Sequence, residues 1–201
     1  HDNQFTTAIK IARAFQNPQI NLVMTLAPTQ SGKTGTMLGL IKTLYHFDDF
    51  HAPNPDNIWL ITGLSDCAWK SQTRDRMPEL ISSHVLHRPD LKKEFSHIAT
   101  TMRDALIIID EAQYACKKGQ TIHKVFSEAG LLNMRELIRR NIRIVMFTAT
   151  PNGLKHEMVK WNPHYQMVMM DTPREYTSLK KLIEQGQVRP FKDLCGVDKF
   201  G

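Results

Sequence analysis

Apolar positions along the chain form short unbroken runs that alternate with stretches of helical spacing. Phe5, Ala8, Ile9, Ala12 and Phe15 recur at helical intervals and predict a helix over 5–15, ended by Asn17-Pro18. Residues 20–26 read as a buried strand, 28–31 as a loop, and 32 to about 47 as a helix. After a polar connector at 53–57, a strand is expected over 58–62, closed by Gly63. A helix follows over 65–76, Pro78 opens another, and 84–90 has no regular pattern. Leu106, Ile107, Ile108 and Ile109 make the clearest strand, bounded by Asp110. Beyond a polar stretch at 117–120, helix is expected across 125–140 and strands over 142–147 and 165–170.

Strands apolar on both faces, separated by helices, predict an α/β fold with a mainly parallel central sheet covered on both sides. From Thr172 the chain turns polar, with one helix expected over 175–186 and an irregular end. The expected division is one domain over 1–171, then a linker or the start of a second domain over 172–201.

Composition adds limits. The 201 residues are 41% hydrophobic and 23% charged, ordinary for a globular domain. No apolar run approaches the ~20 residues of a membrane span, and no signal peptide is visible. Cys67, Cys116 and Cys195 form no C-x-x-C pair, which speaks against a zinc site or disulfide framework and for a reducing compartment. An intracellular protein, of cytoplasm or nucleus or encoded by a phage or virus, is expected rather than a secreted one. The start at His1 suggests a cut or processed chain. A net charge of +6 permits a nucleic-acid partner.

Three strand ends carry chemistry. The first runs into Ala27-Pro28-Thr29-Gln30-Ser31-Gly32-Lys33-Thr34 and then a helix, the order of a phosphate loop, with Ala27 in place of its first glycine. Thr29, Gln30, Ser31 and Gly32 would wrap phosphate with backbone N–H groups, helped by the helix N-terminus. Lys33 would reach the β- and γ-phosphates and Thr34 would hold Mg²⁺. The run ending in Asp110-Glu111-Ala112-Gln113 places two carboxylates at a strand end. There Asp110 would bind Mg²⁺ and Glu111 would deprotonate the attacking water. Val145-Met146-Phe147 leads into Thr148-Ala149-Thr150-Pro151, whose hydroxyls are expected to hydrogen-bond to Asp110 or Glu111 and couple phosphate state to the domain.

Together A-P-T-Q-S-G-K-T, D-E-A-Q and T-A-T-P resemble motifs I, II and III of the first RecA-like domain of superfamily 2 helicases and translocases. The resemblance covers residues 2–170. It implies a P-loop NTPase in a RecA-like three-layer sandwich, using ATP and Mg²⁺ and working on nucleic acid, DNA before RNA. It also implies that Gln113 joins Lys33 and Glu111 in catalysis, that Gln4 reads adenine, and that Thr62, Gly63 and Ser65 touch the nucleic-acid backbone. The family's second RecA-like domain supplies arginine fingers worth about 10³- to 10⁵-fold in rate in related NTPases. Without it, the chain should bind nucleotide and hydrolyse it slowly. The segment Thr150-Pro151-Asn152-Gly153-Leu154 with Trp161 is similar to phage large-terminase ATPases, a rival reading; a nucleotide switch with little turnover is a third.

Among other residues, Arg135, Arg139, Arg140 and Arg143 are expected on a solvated helix side, and His84, His87 and His97 at the surface. Met167-Val168-Met169-Met170 is expected as a buried strand.

Overall fold

A computed structural model describes residues 2–48, 50–114, 116–162, 164–172, 176–177 and 179–188. Helix α1 (Asp2–Ala14) leads into strand β1 (Leu22–Leu26), and helix α2 (Lys33–His46) follows the loop after it. Strand β2 (Ile58–Thr62) is followed by α3 (Cys67–Arg76), whose N-terminus is capped by the Asp66 carboxylate accepting from Ala68 N–H at 2.8 Å. Next come α4 (Glu79–Ser82), strand β3 (Val85–His87), a π-helical turn at Leu91–Phe95, α5 (Ser96–Thr101) and strand β4 (Ala105–Asp110). The chain continues through α6 (Thr121–Glu128), α7 (Met134–Arg139), strand β5 (Ile142–Thr148), α8 (Asn152–Trp161), strand β6 (Gln166–Met169) and α9 (Leu179–Glu184).

Among the described residues the strands form one sheet in the order β3-β2-β4-β5-β1-β6, and every neighbouring pair is parallel. Alternation along each strand builds two cores. Leu106 and Ile108 of β4 pack on one side with Met37, Leu40 and Leu44 of α2 and Ala8 and Ile11 of α1. Ile107 and Ile109 pack on the other with Phe126 of α6, Leu137 of α7 and Leu154 and Met158 of α8. Both faces are therefore covered, which gives the expected α/β three-layer sandwich.

Several expectations change. The strand β3 arises inside 84–90, too short for its three residues to show a period beside His84, His87 and Pro89. Helix does not run through 125–140: Gly130 at φ 73° breaks it, and the Asn133 side chain caps α7 by accepting from Arg135 N–H at 2.9 Å. Helix α8 was not anticipated. Strand β6 is not buried throughout, because it is the edge strand. Met167 and Met169 are 40% and 68% exposed, while Val168 and Met170 pack in the α1–α2 core. The helix expected over 175–186 is α9; Glu175 and Ser178 lie outside the described residues, as does Cys195. Contacts divide the chain into His1–Asp171 and Thr172–Gly201, with α9 in the second unit. No helix among the described residues is long and apolar enough to cross a membrane.

Candidate nucleotide site at the carboxyl edge of the sheet

The strand order sets the site's plan. β5 lies between β1, which carries the phosphate-loop sequence, and β4, which carries Asp110-Glu111. In parallel α/β sheets the carboxyl ends of the strands and the helix N-termini meet on one edge, where ligands bind.

At the first strand end, Ala27 N–H donates to the Thr148 carbonyl at 3.0 Å, tying the loop to β5. The loop then turns through two left-handed residues, Gln30 at φ 58° and Gly32 at φ 94°, before α2 begins at Lys33. The Gln4 side chain lies against the faces of Gly32 and Gly35. A Cβ at Gly32 would sit 2.0 Å from Gln4 Nε2, and one at Gly35 would sit 2.2 Å from Gln4 Oε1. Helix α1 thus brings Gln4 directly against the loop. Thr29 and Gln30 lie on the exposed rim, whereas Ser31 is buried, its hydroxyl donating to the Pro28 carbonyl at 2.7 Å. Of Ser31, the side chain therefore serves the loop's own turn.

Lys33 joins the first and second strand ends. Its ammonium is ion-paired to Glu111 Oε1 and lies 3.5 Å from Asp110 Oδ1. Glu111 holds a left-handed backbone at φ 49°, an uncommon conformation for a residue with a Cβ. Asp110 stays at the end of β4, its Oδ1 accepting from Glu111 N–H at 3.0 Å and its carbonyl from Gly63 N–H at 3.0 Å. Burial pushes the Asp110 pKa above the ordinary carboxylate value, and the Glu111 charge adds to this against the pull of Lys33.

The third strand end reaches the carboxylates through an intermediary. Gln113 Nε2 donates to Glu111 Oε2 at 2.6 Å, and the Thr148 hydroxyl donates to Gln113 Oε1 at 2.7 Å. This corrects the expected direct contact of Thr148 and Thr150 with Asp110 or Glu111. Thr148 is fully buried, and the Gln113 amide stands between its hydroxyl and Glu111. Thr150 is exposed and takes part through its backbone, donating N–H to Thr148 Oγ1 at 3.1 Å.

A cleft of about 620 Å³ opens beside this network, lined by Gln30, Lys33, Thr34, Leu38, Arg76 and Asp110 among others. Thr34 and Asp110 bring hydroxyl and carboxylate oxygen to it, the hard donors that suit Mg²⁺. Arg76 was not singled out in sequence, where it stands as an ordinary polar residue at a helix end.

Of the residues after β2, Thr62 is fully buried and its hydroxyl accepts from Leu64 N–H at 3.2 Å, closing the turn. Gly63 is buried, and Ser65 is exposed. Nearby, His87 is buried rather than at the surface: its Nδ1 lies 2.5 Å from Asp90 Oδ2 and its Nε2 3.6 Å from Cys67 Sγ. Asp90 also pairs with Lys70. The arginine cluster does not share one surface. Arg139 pairs with Glu136 at 2.6 Å, whereas Arg140 is buried and donates to the carbonyls of Met102, Ala129 and Ala99. Arg143 lies over the Phe15 ring.

No protein-family model and no curated protein sequence matches this chain. Among solved structures it is similar to the Pyrococcus furiosus Hef helicase domain, with a TM-score of 0.51 and 12% identity over 80% of this chain and 38% of that one. C. elegans PCH-2 gives a TM-score of 0.42 and 14% identity over 82% of this chain and 42% of that one. The chain thus spans well under half of either protein. At such identity the first likeness shows the fold, a P-loop NTPase architecture of RecA-like type.

Proposed function

We propose that this chain binds ATP with Mg²⁺ at the α2 N-terminus and hydrolyses it, as the first RecA-like domain of a superfamily 2 helicase or translocase. The observation that carries the reading is the relay from Lys33 through Glu111 and Gln113 to Thr148, which joins all three motif-bearing strand ends. A chance strand-to-helix turn would not place the lysine, the acids and the third motif in one hydrogen-bonded line.

In this reading the N–H groups of residues 30–34 and the positive end of α2 hold the phosphates. Lys33 neutralises their charge. Thr34 and Asp110 hold Mg²⁺, which when bound withdraws charge from the phosphate oxygens. Glu111 accepts the proton of the attacking water, its second oxygen oriented by Gln113. Gln113 and Thr148 carry the resulting change to β5, and Gln4, packed on Gly32 and Gly35, senses the base side of the nucleotide. Residues 1–171 form the ATP-binding domain, and 172–201 lead toward a second domain that supplies arginine fingers.

A nucleic-acid partner, taken as DNA before RNA from the resemblance alone, is supported as nucleic acid by a basic cleft near the same edge. Arg88, Lys92 and Lys124 line it together with Tyr114, a ring 52% exposed and able to stack on a base. Ser65, exposed just after β2, would contact phosphates on that side.

Two measurements on the intact protein test this. Glu111→Gln should leave ATP binding intact and lower turnover by about 10² or more; turnover near the parent rate removes Glu111 as the base. Single-stranded or duplex nucleic acid should stimulate turnover. Absence of stimulation by either sinks the motor reading and leaves a nucleotide switch. Stimulation by duplex DNA without strand separation favours a packaging motor of terminase type.

A further inference from the structure

Helix α3 is anchored along one stripe. Trp69 and Thr73 lie four apart on one helix face, and Met77, the extended residue that ends the helix, follows four later. Thr73 and Met77 are buried; Met77 belongs to the core on the α1–α2 side of the sheet, and Trp69 is partly buried against it. The carboxyl end of α3 borders the same cleft as the first turns of α2, Arg76 lining it with Lys33, Thr34 and Leu38.

Arg76, the last residue of α3, sits between those anchors, three positions after Thr73 and one before Met77. It is exposed, and among the described residues it forms no ion pair. Its side chain nonetheless borders the same cleft as Lys33, Thr34 and Asp110. The charges there are unequally satisfied. Lys33 is neutralised by Asp110 and Glu111, which leaves Arg76 as the cation of the cleft without a carboxylate partner. A guanidinium presents a planar fork of donors that matches phosphate oxygens two at a time.

We infer that Arg76 binds the terminal phosphate of the nucleoside triphosphate from within this domain and makes the site prefer triphosphate over diphosphate. The inference rests on the nucleotide reading above and adds a residue to it. Arg76 borders the cleft together with Thr34 and Asp110, the oxygen donors suited to the metal, which is the γ-phosphate end of a bound nucleotide. A cation supplied in the same domain would also let the chain discriminate nucleotide state before any second domain closes over it.

The test is equilibrium binding of ADP and of a non-hydrolysable ATP analogue to the parent protein, Arg76→Ala and Arg76→Lys, with melting curves for each. Arg76→Ala should bind the triphosphate analogue about tenfold or more weakly, the loss expected for a charge-assisted contact, with ADP affinity and melting temperature unchanged. Arg76→Lys should recover part of the loss, because it keeps the charge and loses the fork. Equal weakening of both nucleotides, or of neither, overturns the role of Arg76 while leaving the nucleotide site standing. A parent protein that binds neither nucleotide overturns the nucleotide reading and this inference together.

Discussion

Two lysine–carboxylate clusters lie at the ends of β3 and β4, with β2 between them, and they differ in how their carboxylates are held. Lys70 pairs with Asp90, whose carboxylate also meets the ring and backbone N–H of His87. Burial acts to raise the Asp90 pKa, but the Lys70 and His87 contacts outweigh it and hold the group below its ordinary value. In the other cluster Lys33 meets Asp110 and Glu111, yet Asp110 stays above the ordinary value because burial prevails. That cluster also sits on left-handed backbone, at Gly32 and Glu111, and opens onto a cleft. A carboxylate satisfied by its neighbours is a brace. One held above its ordinary value, on left-handed backbone and beside open volume, has the setting in which the proposed nucleotide chemistry would take place.

The largest effect should come from removing each lysine in turn. Lys33→Ala is expected to lower ATP turnover by about 10²- to 10³-fold, the scale of losing one donor aimed at developing charge. Lys70→Ala should leave turnover near the parent value and lower the melting temperature. Steady-state rates and melting curves on both variants decide it; equal losses of turnover would erase the distinction between the clusters.

The two aspartates should also respond to pH with opposite signs. A lowered folded pKa means that Asp90 contributes stability above the ordinary carboxylate range, near pH ~3.9, and loses it as pH falls through the folded value. A raised folded pKa means that Asp110 favours the folded state at low pH, and that this contribution disappears as pH rises through its folded value. At neutral pH, Asp90→Asn should therefore destabilise by about 1.5–3 kcal/mol, the worth of hydrogen bonds to a charged group. Asp110→Asn should raise the melting temperature instead. Both differences should shrink as the pH is taken below the carboxylate range. Denaturant melts at pH 7 and near pH 3 check this, and two shifts of the same sign would show that the clusters do not differ electrostatically.

Much of this plan was legible in the sequence where chemistry and period coincide. Leu106–Ile109 could scarcely be anything but a strand between two layers, and Lys33, Asp110 and Glu111 stood out because each follows such a run. What failed to show were contacts set by strand order. Gln113 bridges to Thr148 because β5 lies beside β4, which no local pattern encodes. Arg140 reads as one of four surface arginines until the fold turns it inward onto three carbonyls. His87 was lost in an irregular stretch whose three-residue strand carries no period. Arg76 belongs to the same class, since its place at the cleft depends on where the fold sets the end of α3.

The smallest effect tests the link that most distinguishes the Lys33 cluster, its connection to a third strand. Thr148→Val keeps the shape of a fully buried side chain and deletes the hydroxyl that donates to Gln113 and accepts from Thr150 N–H. Stability should fall by about 1 kcal/mol, as for a neutral hydrogen bond. Turnover should fall several-fold with ATP affinity unchanged, because Gln113 would lose its anchor while still able to reach Glu111. Thr150→Val, at an exposed side chain that serves through its backbone, should do neither. If Thr148→Val leaves turnover at the parent rate, Gln113 orients Glu111 unaided and the relay ends at β4. A loss as deep as that of Lys33→Ala would instead put the Thr148 hydroxyl among the groups that act on the nucleotide.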